Sequence, residues 1–161
     1  MQTLSQTHCG ESLQLIQDHN PCPGSERDTL HRLWQSGRLR RHLDSLEHFF
    51  YSQKPGFYEL QAEQSETLSL IELAKLFVIQ NVIVDRISET FDQLKEIESE
   101  IWIQGEQGNF DRDRIACEWA SSHARIWRQW RLKEYLYVIE QMESQLRRCL
   151  AIESGPYDPQ S

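Results

Sequence analysis

A chain of 161 residues, 39% hydrophobic and 26% charged, has the length for one core and is too apolar to be a disordered tail. Its net charge of −8 and pI near 5.2 argue against a nucleic-acid-binding domain, which is normally basic. The longest charge-free stretch of its apolar middle, Leu76 to Val84, falls far short of the roughly 20 apolar residues of a membrane span.

The opening residues, MQTLSQTHCGESLQLIQDHN, have neither a basic n-region nor an apolar run of signal-peptide length, so export is not expected and a cytoplasmic location is. Residues 1–24 carry the breaker NPCPG and read as a loosely ordered segment with one short helix around Glu11 to Asp18. Cys9, Cys22, Cys117 and Cys149 are far apart and form no CxxC pair, which leaves no zinc ribbon or redox motif and favours reduced thiols. His8 and His19 stand near the first two, but the irregular spacing fits solvated residues better than a metal site.

A helical bundle domain is expected over 25–153. Prolines fall at 21, 23, 55, 156 and 159, which leaves the long interval 56–155 without one, and proline is the strongest helix breaker. The first element runs from Ser25, placed as an N-cap, to about Gln53, with Glu26 and Asp28 in the first turn, where a helix dipole favours acids. Leu30, Leu33 and Trp34 form one apolar set and Leu39, Leu43, Leu46 and Phe50 a second; Gly37 between them is a point where the helix kinks or splits.

The second element, Ser65 to Gln104, carries the clearest periodicity. Leu70, Leu73, Phe77, Gln80, Val84, Ile87, Phe91, Leu94, Glu98 and Ile101 alternate strictly by three and four, the spacing of a coiled-coil seam. Gln80 and Glu98 are its polar interruptions, of the kind that fix register. The middle, LFVIQNVIV, is apolar nearly all round and calls for cover on more than one side. After the turn QGEQGN, the third element begins near Asn109 or Asp111 and continues to about Ile152, with one stripe through Trp119, His123, Ile126 and Trp130 and a second through Leu132, Leu136, Ile139, Leu146 and Leu150. The short turn pairs the last two elements as an antiparallel hairpin. SGPYDPQS at 154–161 reads as a tail. The fold expected is thus all-α: an up-and-down helical bundle with three long helices.

Acid gathers between Asp85 and Glu106; a solvated helix face is the plainer reading and a docking surface for a basic partner the sharper one. In HARIWRQWRLKEY, from His123 to Tyr135, Arg125, Arg128 and Arg131 interleave with Trp127 and Trp130. Arginine and aromatics bind single-stranded nucleic acid by phosphate contact and stacking. The same types dominate protein–protein hot spots, which also accounts for arginine outnumbering lysine. Trp119, Arg125, Trp127, Arg128, Trp130 and Arg131 are therefore the interaction candidates. His31, His42 and His123 are weak metal candidates, with Glu118 near the last, but the sequence has no HExxH and no paired ExxH. Neither a nucleophile elbow nor a P-loop nor a Rossmann glycine pattern is present, so no cofactor and no catalytic residue is assigned.

The function expected is a non-enzymatic adaptor or regulatory protein that works through protein–protein contact and self-associates, most simply as a homodimer. A nucleic-acid-associated subunit using residues 123–135 and a helical-bundle metal or cofactor enzyme are the alternatives.

Overall fold

The computed structural model describes residues 2–65, 67–81 and 83–151. The tail expected at 154–161 and the side chains of His8 and Cys9 lie outside the described residues. Those residues are helical, with no strand among them. Among the described residues nine α-helices and one π-helical turn take the place of the three long helices expected. The helices are α1 (Gln2–His19), α2 (Ser25–Gln35), α3 (Arg40–Ser52), α4 (Lys54–Glu63), α5 (Leu70–Asn81), α6 (Arg86–Glu106), α7 (Arg112–Ser122), α8 (Ala124–Glu140) and α9 (Glu143–Leu146), followed by the π turn Arg147–Ala151.

Each long element breaks for a local reason. Gly37 has φ of 86°, a left-handed conformation that costs other residues roughly 1–2 kcal/mol, and it divides the first element into α2 and α3. Gly24, not Ser25, is the N-cap of α2, and Glu26 reaches back to accept the Cys22 N–H at 2.7 Å. Pro55 stands in the first turn of α4, where its missing N–H has no helical partner to lose. The second element ends at Asn81 and resumes at Arg86 because Asp85 caps a new helix. Its carboxylate accepts the Ser88 N–H at 3.0 Å while Glu89 accepts the Asp85 N–H at 3.1 Å, a reciprocal arrangement like a capping box. The third element breaks at His123 and again at Gln141–Met142. Near Asn109 the turn forms as expected: the Asn109 N–H bonds back to the Gln104 carbonyl at 2.9 Å, Gly108 has φ of 93°, and Asp111 caps α7 through the Arg114 N–H.

The chain divides into two compact units, Met1–Val84 with Leu132–Ser161, and Asp85–Arg131. In the first, α5 packs against α1, α4 and α9, and α3 against α4, α9 and the π turn. From Leu73 to Ile79 every residue of α5 is buried, and from Tyr135 to Ile139 every residue of α8 is, the signature of helices covered on all faces. The aromatic heart is Phe49, Phe50, Phe57 and Phe77, with ring centroids 5.4 to 6.1 Å apart. A Cβ at Gly56 would stand 3.4 Å from the Phe77 ring, at ordinary van der Waals distance. Within the N-terminal segment, α1 is tied to the core through buried Ile16 and through the Ser12 hydroxyl, which donates to Gln64 at 3.2 Å.

In the second unit, α6 and α7 pack together. Arg112 pairs with Glu98 and, further along the chain, Arg131 pairs with Asp92. The partners step backward along α6 as the chain advances, as antiparallel neighbours require.

Candidate functional site

The histidines considered for metal each have other partners. His42, 1% exposed, joins Glu134 at 2.8 Å and sets its ring edge-on to Tyr135 at 5.1 Å. His31 contacts the Tyr137 hydroxyl at 2.9 Å. His123 stacks on Trp119 at 6.2 Å and contacts the Ser122 hydroxyl at 2.9 Å, while Glu118 pairs with Arg114. Among the described residues no group of three or more His, Cys, Asp or Glu side chains has the arrangement to hold a metal ion. Cys22 and Cys117 are exposed thiols, and the Cys149 thiol donates to the Glu47 carbonyl at 3.8 Å.

The first unit holds a second polar cluster that the sequence did not announce. Glu140 accepts from Arg27 and, at 2.6 Å, from Lys75; the Lys75 ammonium, nearly enclosed, also donates to Asn20 at 2.9 Å. Burial alone would raise the Glu140 carboxyl, but the bonds from Arg27 and Lys75 outweigh it and hold it below the usual carboxylate range. Glu26 is likewise lowered, first by the Cys22 N–H and then by Lys133, whose ammonium bonds it at 2.9 Å. Arg27 also lies over the Tyr137 ring, 5.5 Å from its centroid. These contacts tie α2, α5 and α8 together. A groove of about 280 Å³ in the same unit is lined by Glu11, Ser12, Leu15, Leu60, Gln64 and Gln80 among others; none of the sequence candidates borders it.

The Trp/Arg segment separates into two kinds of residue. Trp119 and Arg131 are buried and belong to the interior of the second unit. Arg131 bonds Asp92 and spreads its guanidinium over the Trp127 ring at 4.5 Å, so that face of Trp127 is occupied from within. Trp127 and Trp130 are half-buried, and Arg125 and Arg128 are exposed. A base-stacking platform needs open aromatic faces; Trp119 and Trp127 are engaged by His123 and Arg131 instead.

The apolar surface of the second unit lies elsewhere. Its buried apolar side chains are Ile115 and Trp119 alone, whereas Ile87 is 84%, Phe91 57%, Leu94 53% and Trp102 67% exposed, with Ile103, Phe110 and Ile126 also exposed. The side chain of α6 that is buried is Glu89. At about 100° per residue, Glu89 and Asp92 face the interior while Ile87, Phe91 and Leu94 fall on the opposite side. Over its first turns this helix is thus polar inward and apolar outward, the reverse of an ordinary surface helix; further along, Ile97 and Ile101 are half-buried while Glu98 and Ser99 are exposed. The seam read from the sequence therefore has two fates: Leu73 and Phe77 of α5 are buried in the first unit, and in the α6 half Ile87, Phe91 and Leu94 are open to solvent while Ile101 is half-buried. No helix among the described residues is long and apolar enough to cross a membrane. Comparison with protein families, with curated proteins and with solved structures gives no match for this chain.

Proposed function

We propose that this chain is a helical adaptor or regulatory protein of the cytoplasm, without catalysis of its own, which acts by protein–protein contact and associates with itself as a two-fold dimer. One observation carries the reading: a unit of roughly fifty residues, a size at which a core is marginal, buries two apolar side chains and exposes seven large ones. Contiguous exposed apolar surface on a protein marks an interaction site. The exposed thiols Cys22 and Cys117 fit a reducing compartment. The exposed Arg125 and Arg128, with half-buried Trp127 and Trp130, are suited to the polar rim of such an interface, while Trp119 and Arg131 support it from inside.

Light scattering after size exclusion tests this reading. The expected mass is twice 19.1 kDa at both low and high salt, since apolar contact is not screened. A mass of 19.1 kDa at every concentration would remove self-association.

A further inference from the structure

We propose that the outward face of α6, centred on Phe91 and Leu94, is where a second copy of this chain docks, the two α6 helices lying antiparallel. The inference rests on the self-association above and names its surface. Ile87, Phe91, Leu94, Glu98 and Ile101 keep the three-four alternation of a coiled-coil seam, and a seam of this kind is complementary to itself.

Charge favours a second copy over a basic partner. The positions that would flank the seam are Ser88, Lys95 and Trp102 on one side and Thr90, Ile97 and Gln104 on the other. Lys95 is the single charge among them, and its ammonium lies 4.8 Å from the Phe91 ring centroid. The acids Glu89, Asp92, Glu96 and Glu100 fall off the seam, so no row of like charges opposes pairing, and none is presented to attract a basic helix. The seam is also open: Ile87, Phe91, Leu94 and Trp102 are 53% to 84% exposed, and aromatic side chains such as Phe91 and Trp102 dominate the energetics of interfaces.

Glu98 fixes the direction. In a parallel pair, two Glu98 carboxylates would face each other in one layer, a costly arrangement of like charges. In an antiparallel pair with Phe91 of one copy against Leu94 of the other, each Glu98 lies beside Ile87 at the rim, where it keeps water and its bond with Arg112 at 2.8 Å.

The test compares the full chain with Leu94→Glu and with Ile126→Gln, an exposed apolar residue off the seam, by light scattering over a concentration series. Leu94 is 53% exposed and glutamate is a comparable helix former, so helicity by circular dichroism stays unchanged. The expected result is a dimer for the full chain and Ile126→Gln, and dimerisation weakened roughly 30-fold or more by Leu94→Glu, the loss of a hot spot. A Leu94→Glu chain that dimerises as well as the parent overturns this surface while leaving self-association standing; a monomeric parent overturns both. Direction is read by oxidative cross-linking on a background with Cys9, Cys22, Cys117 and Cys149 replaced by serine. Ile87→Cys combined with Glu98→Cys links two copies and Ile87→Cys alone does not. Efficient linking by Ile87→Cys alone would overturn the antiparallel arrangement.

Discussion

Replacing Phe50 by alanine lowers the stability of the first unit by about 3–5 kcal/mol, the range for emptying a fully buried aromatic site. Phe50 is 0% exposed, and its ring meets those of Phe49, Phe57 and Phe77 at 5.5 to 6.1 Å. Those three rings come from α3, α4 and α5, so the cavity opens where three helices converge and cannot be closed by moving one of them. Phe50→Leu, which keeps most of the volume, costs roughly 1–1.5 kcal/mol. Urea denaturation followed by circular dichroism separates the two. A loss of under about 1 kcal/mol for the alanine variant would show that the four rings are not the centre of the core.

Glu140→Gln is the second large effect, because it leaves the Lys75 ammonium without its carboxylate in a nearly enclosed position. Breaking a buried pair costs about 3–5 kcal/mol. Arg27 retains solvent contact, its side chain being 35% exposed, so a cost of about 3 kcal/mol is expected. The pH dependence follows from the same bonds. The folded carboxyl is held below its ordinary value of 4.5, so the folded state favours the charged form. The stabilisation is complete above that ordinary value and disappears as the pH falls through the folded one. Stability of the parent therefore drops on acidification below about pH 4.5, and the drop is smaller in Glu140→Gln. It does not vanish there, because Glu26 is lowered as well and adds in the same direction. Equal acid sensitivity in the two chains would mean that Glu140 does not contribute.

The helical character was legible because the proline-free interval and the 3.6-residue periodicity are local properties of the sequence. The breaks were less so. Gly37 announced the division of the first element, but the end of α5 depended on Asp85, whose capping role is decided by the backbone it meets; in sequence it is one more acid in an acidic run. The signal was present as Asp85 followed by Ser88 and Glu89. The three-four spacing runs through Gln80 to Val84 without interruption, and periodicity alone does not tell a continuous helix from two in phase. The Arg27–Lys75–Glu140 cluster joins residues more than sixty positions apart, and no local pattern encodes such a meeting. The Trp/Arg segment was conspicuous in composition, yet which of its members face inward follows from the Arg131–Asp92 bond, a tertiary fact. Trp119 and Arg131 belong to the same conspicuous segment, and both are buried.

If a second copy covers the exposed apolar side chains of α6, dilution acts on one part of the chain and not on the other. The first unit encloses its phenylalanines within a single chain, so its melting temperature is independent of how much protein is present. If the outward seam of the second unit is covered by another copy, the order of that unit obeys mass action, and its melting temperature rises with concentration. A calorimetric scan at two concentrations a hundredfold apart would then resolve one transition that stays in place and one that moves, and the cellular abundance of the chain would itself set how much of its second unit is folded.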